Sequence, residues 1–131
     1  MKIRGRCACG QTRYEIAAGT ALDSANCHCR TCRQSTGGTY VTWATIPRCA
    51  FHWTGRRPRA YASNPRTQRY FCGICGAQLA LVTTREPATM DVIVATFVNA
   101  ERCPPTRNIW LSRKLGWVPV DRRLKGEEKE S

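Results

Sequence analysis

The chemistry legible in this chain is that of cysteine. Seven of the nine cysteines fall into three clusters, Cys7-Ala8-Cys9-Gly10, Cys27-His28-Cys29-Arg30-Thr31-Cys32 and Cys72-Gly73-Ile74-Cys75-Gly76, while Cys49 and Cys103 stand alone. A Cys-x-x-Cys-Gly on a tight turn is a zinc knuckle, because glycine permits the turn that aims both sulfurs and backbone N–H groups at one ion. Cys72 and Cys75 then need two more ligands, and Cys7 and Cys9, also followed by a glycine, supply them. A closed set of four thiolates is a structural site. Cys27, Cys29 and Cys32 remain, and three protein ligands with one open position is how a catalytic zinc is built. His28 would complete that shell, but in extended backbone its side chain points away from those of Cys27 and Cys29. Cys49 or His52 reaching in from elsewhere would also close it and make the second site structural. The expected cofactor is zinc, two ions per chain.

A thioredoxin-like dithiol reading of Cys72 and Cys75 lacks the βαβ context. No GxGxxG follows a strand pattern, and neither GxxxxGK[ST] nor HExxH occurs. With no serine or carboxylate obviously beside either histidine, the chemistry belongs to the metal.

The elements that must position these clusters are short. Helical periodicity is poor and Gly and Pro recur throughout, the punctuation of brief strands. The chain therefore reads as all-β: short antiparallel strands stapled by zinc knuckles, expected over 3–6, 12–18, 40–46, 50–54, 60–63, 68–72, 78–82 and 91–97, with at most a short helical turn at 30–36. Trp43, Trp53, Trp110 and Trp117, with Tyr14, Phe51, Phe71 and Phe97, supply bulk for the core. A chain of 131 residues fits one domain, expected over 1–120. Residues 121–131, eight charged in eleven, are expected as a disordered tail.

The formal charge is +12, and seventeen of the twenty-one basic residues are Arg. Seven thiolates on two divalent ions would remove three units of charge and leave the protein basic. Arg's planar fork suits carboxylates and phosphates alike. No apolar run reaches the about 20 residues of a membrane helix. An odd cysteine count behind a charged N-terminus with no secretory signal argues against a disulfide framework and for a cytoplasmic protein.

In order and spacing these residues resemble the glutathione-dependent formaldehyde-activating family, also called the centromere-protein-V/GFA domain. The resemblance runs from Gly5-Arg6-Cys7-Ala8-Cys9-Gly10 through Tyr14-Glu15, the 27–33 cluster, Gly37-Gly38, Phe51 and Tyr61 to Arg69-Tyr70-Phe71-Cys72-Gly73-Ile74-Cys75-Gly76, and on through 91–94, Pro104-Pro105, Ile109-Trp110 and Trp117. It implies a β-tent fold, a structural zinc on Cys7, Cys9, Cys72 and Cys75, and a second, open zinc on Cys27, Cys29 and Cys32. It also implies glutathione or a similar small thiol as ligand, formaldehyde or its adduct as partner, and a carbon–sulfur lyase activity that forms or cleaves S-hydroxymethylglutathione. Arg30 and Arg33, beside the three-cysteine cluster, are the candidates to clamp a substrate carboxylate, and Asp91 or Glu15 to receive its ammonium.

Two other readings remain open. One is a non-catalytic glutathione carrier in which both zincs serve folding. The other is a zinc-stabilised nucleic-acid module, motivated by the net charge. The basic residues are scattered from Lys2 to Lys114, with only Arg56-Arg57-Pro58-Arg59 clustered, which argues against that module. The sequence carries no signal for oligomeric state.

Overall fold

A computed structural model describes residues 1–130. Along the chain lie β1 (Ile3–Arg6), β2 (Arg13–Ile16), β3 (Asp23–Cys27), α1 (Arg30–Thr36), β4 (Val41–Pro47), β5 (Phe51–Trp53), β6 (Arg59–Asn64), β7 (Thr67–Phe71), β8 (Gln78–Thr83), β9 (Thr89–Ile93), β10 (Arg107–Ile109) and β11 (Lys125–Gly126), with four 3-10 turns. The fold is all-β with one short helix. No helix among the described residues is long and apolar enough to cross a membrane.

The strands form two sheets. The small one has the order β1-β2-β5, and the large one runs β11-β10-β3-β4-β9-β8-β7-β6. Pairing is antiparallel except at one edge, where β10 lies parallel to both β3 and β11. The period-2 alternation of strand side chains explains how the large sheet serves two purposes. Ala44 and Ile46 of β4, Ala80 and Val82 of β8, and Met90 and Val92 of β9 join Tyr14, Ile16, Phe51 and Phe97 in the main core. The alternate residues Val41, Trp43, Leu81 and Ile93 form a second cluster with Ala25, Cys27, Cys32 and Ile109. Each fully buried large apolar side chain contributes roughly 1.5–3 kcal/mol, so the main core carries the fold and the smaller cluster seats α1 beside its cysteines.

The main core closes around Tyr14. Its ring stacks on Phe51 at 5.0 Å and meets Trp53 and Phe97 edge-on. A Cβ on Gly5 would lie 2.1 Å from this ring, so glycine is required there.

Two expectations need correction. The strand expected over 91–97 starts earlier and stops at Ile93, where the chain turns into 3-10 geometry over Val94–Thr96. The segment expected as a disordered tail instead docks on the sheet edge as β11. Its charges find partners there: Arg107 pairs with Glu127 at 2.8 Å, and the Leu111 N–H donates to the Glu127 carbonyl at 3.1 Å. The exposed edge of β10 offered unpaired backbone groups, and a polar segment satisfies them without burying apolar surface. Ser131, the last residue of that expected tail, lies outside the described residues.

Candidate metal and thiol site

The sequence's grouping of cysteines is what the fold brings together. Cys7, Cys9, Cys72 and Cys75 form one group and Cys27, Cys29 and Cys32 another, with the sulfurs of each group within 4.8 Å of one another. All nine cysteines are free thiols.

In the first group the turn after β1 meets the turn between β7 and β8. Gly10 and Gly76 each follow a cysteine pair and both are left-handed, at φ 79° and 80°, a conformation that favours glycine. The turns aim N–H groups at sulfur: Thr12 donates to Cys7 Sγ at 3.3 Å, and Ile74 and Cys75 donate to Cys72 Sγ at 3.4 and 3.5 Å. These N–H groups, that of Cys75 foremost, push the Cys72 thiol down to about 6. Sulfur separations are 3.6 Å for Cys7–Cys9 and 3.8 Å for Cys9–Cys72. Four sulfurs at about 2.3 Å around a tetrahedral zinc stand about 3.8 Å apart, so the group fits such an ion.

The second group sits where β3 hands over to α1. Cys27 ends β3, Cys29 caps the helix by accepting the Cys32 N–H at 3.2 Å, and Cys32 lies in the first turn. Cys27 and Cys32 are buried, with sulfurs 3.7 Å apart, and Cys29 is half-buried. That spacing also fits a tetrahedral metal. Hydrogen bonds from Cys27 and Cys32 push the Cys29 thiol down to about 3, while Cys27 is pushed up.

His28 is not part of either group. Its ring is fully buried and packs on Tyr40 with centroids 5.0 Å apart, so the alternation argument holds. Cys49 and His52 are exposed and also lie outside both groups.

The three cysteines open into a cavity of about 570 Å³ whose walls include Trp43, Thr45, Arg69, Asp91 and Trp110. A somewhat larger cavity of about 660 Å³ beside Tyr40, Cys103 and Pro104 contains neither cysteine group. Chemistry rather than size picks out the first.

Arg69, which the sequence offered only inside a longer motif, is the cavity's most constrained charge. It is 5% exposed on β7. Its guanidinium nitrogens stand 3.8 and 3.9 Å from Cys32 Sγ, and Ser63 and Ser35 accept from it at 3.0 and 3.2 Å. A buried guanidinium is tolerated only where it is hydrogen-bonded and faces negative charge, and the sulfurs of the three-cysteine group are the groups beside it able to carry that charge. The strand period makes Arg69 face the site, but only the pairing of β7 with β8 and β8 with β9 sets it beside α1.

Of the two arginines singled out from sequence, Arg30 lines the cavity. Arg33 does not, and donates instead to the His28 and Arg113 carbonyls at 3.4 and 3.3 Å. Asp91 lies in the cavity, accepts from Thr45, and is pushed up by burial with a further contribution from Cys32. Glu15 is elsewhere, paired with Lys2 and Arg4 on the small sheet. Trp110 is the one non-glycine at positive φ among the described residues, at 58°, and it forms part of the cavity wall. Such a conformation costs a bulky residue of order 1–3 kcal/mol and clusters at functional sites.

A family model described as glutathione-dependent formaldehyde-activating enzyme matches residues 2–113. The chain belongs to this family. Both cysteine groups and most of the cavity of this family member lie within the matched residues. A Halomonas elongata protein named "Putative glutathione-dependent formaldehyde-activating enzyme" is 22% identical over 94% of this chain and 83% of its own length. A crystal structure of a Rhodobacter sphaeroides protein has the same fold, with a TM-score of 0.60 at 20% identity over 95% of this chain and 98% of that one.

Proposed function

We propose that this family member is a zinc-dependent carbon–sulfur lyase that forms or cleaves S-hydroxymethylglutathione, or a closely related thiol adduct. The observation that carries the reading is a buried three-thiol group opening into an arginine-walled cavity, beside a separate four-thiol group that ties two turns together. We assign zinc to both groups, structural at Cys7, Cys9, Cys72 and Cys75 and substrate-facing at Cys27, Cys29 and Cys32.

In the forward direction the thiol sulfur bonds to the aldehyde carbon, the carbonyl π pair moves to oxygen, and the thiol proton ends on that oxygen. No electrons are gained or lost overall. Cys27, Cys29 and Cys32 would hold the zinc, which when bound would favour the deprotonated form of a substrate thiol, the form that is the nucleophile. Arg69 balances the negative charge of the thiolate shell. Arg30, Arg85 and Arg113 on the same walls suit the two carboxylates of glutathione, since a guanidinium grips a carboxylate with two parallel N–H bonds.

The test is exchange NMR on glutathione with formaldehyde in buffer, with zinc-loaded protein, and with Cys29→Ser prepared in the same way. Acceleration by the wild-type protein that the variant lacks while it stays folded is the expected result. Exchange no faster than buffer with the wild-type protein overturns the lyase activity.

A further inference from the structure

The C-terminal segment adds to the cavity something that the family match does not contain. The match ends at residue 113, whereas Glu130 lies among the residues lining the cavity. Its position follows from the edge pairing described above. β11 lies parallel to β10 with Arg107 opposite Lys125, and the Trp110 and Ser112 N–H groups donate to the Lys129 and Glu128 carbonyls at 3.4 and 3.2 Å. Ser112 Oγ adds a second bond to the Glu128 carbonyl at 2.6 Å. Backbone pairing thus carries the segment along β10 to the rim of the thiol site.

The charges sort along that cavity. Arg107, 15% exposed, is shared by Glu127, Asp23 and Glu130 at 2.8, 3.1 and 3.6 Å. Asp91 and Glu130 line the cavity together with Arg107, two carboxylates to one guanidinium that Asp23 and Glu127 also share. This end is therefore acidic in a chain whose formal charge is +12. Arg30, Arg69, Arg85 and Arg113 make the remaining walls basic. Glu130 holds its partner at the longest of the three distances and keeps 47% of its side chain exposed, so its carboxylate is available to a ligand. Burial at the wall, with the nearby Asp91 charge, pushes Glu130 up.

We propose that Glu130 is a specificity-determining residue that receives the ammonium group of a thiol substrate whose carboxylates bind the arginines, so that the docked C-terminal segment selects zwitterionic thiols over purely anionic ones. This rests on the reading of the cavity as a glutathione-type thiol site.

The experiment compares two probes on the full-length, zinc-loaded chain by titration calorimetry: glutathione, and the analogue in which the α-ammonium is replaced by hydrogen. The wild-type protein is expected to bind glutathione about threefold to tenfold more tightly, the range for a partly exposed charge-assisted pair. Glu130→Gln is expected to lose most of that preference by weakening glutathione alone, with unchanged zinc content and melting temperature, and Glu130→Asp to retain part of it. Asp121→Asn, whose carboxylate meets Arg123 outside the cavity, should keep the full preference. Equal binding of both probes by the wild-type protein, or a preference unchanged in Glu130→Gln, overturns the role of Glu130 and leaves the thiol site standing. A Glu130→Gln loss that is equal for both probes makes the residue a structural strap and also overturns it. Binding of neither probe by the wild-type protein overturns the thiol-site reading and this proposal together.

Discussion

The two cysteine groups have the same ligand atom and nearly the same sulfur spacing, yet their surroundings differ. The four-cysteine group joins two hairpin turns, is served by backbone N–H donors, and leaves Cys9 and Cys75 exposed on the surface. The three-cysteine group is set at a strand-to-helix junction, has a buried guanidinium against it, and faces a cavity. On the proposed reading, ligand number and second neighbours, rather than ligand identity, separate a staple from a reactive centre.

The largest effect that would break or sharpen this comparison is on stability. Cys72→Ser should remove one zinc and destabilise the fold by at least about 3 kcal/mol, a part of the roughly 10–16 kcal/mol that such ions supply to small zinc modules. Thermal melting with zinc analysis reads both quantities, and a native melting temperature at one zinc per chain would deny the staple role. Cys29→Ser should be the mirror image. It is expected to lose the other zinc and about 100-fold or more of the exchange rate, while melting within a few degrees of the wild-type protein.

Arg69→Met should weaken zinc at the three-cysteine group alone by about 10- to 100-fold, the range for groups that support metal ligands. Arg69→Lys should restore part of it. Competition with a chromophoric chelator measures each site, and equal weakening at both groups would show that Arg69 acts through the fold.

Metal retention on acidification separates the groups less sharply. Thiolate ligands must stay deprotonated, so falling pH favours release at both. The four-cysteine group, with four ligands and no open position, should keep its zinc to the lower pH in a chelator titration. The smallest effect belongs to the two helix arginines. Arg30→Gln should raise the KM for glutathione a few-fold, and Arg33→Gln, whose guanidinium serves carbonyls, should leave it within about twofold.

Much of the site was legible because cysteine clusters are local. The spacing within 27–32 and the glycines after Cys9 and Cys75 carry their own geometry, and α1 occupies the very residues expected for a helical turn. β3 escaped notice because Asp23, Ser24 and Asn26 have little intrinsic strand preference, and only pairing with β4 and β10 makes that segment extended. The C-terminal segment was misread for a related reason. Its composition has nothing to bury, and what holds it is the backbone of an edge strand, which composition does not report.

The sequence by itself therefore determined the candidate ligand atoms, their division into two groups, the all-β class and the excess of positive charge, since each follows from residue type and short-range spacing. Tertiary structure decided which charges face the thiols. Arg69 reaches Cys32 across 37 positions, and Glu130 reaches the same cavity from beyond the family's matched residues. A strand's period tells which side a residue faces, but only the order and register of its neighbours tell what stands there.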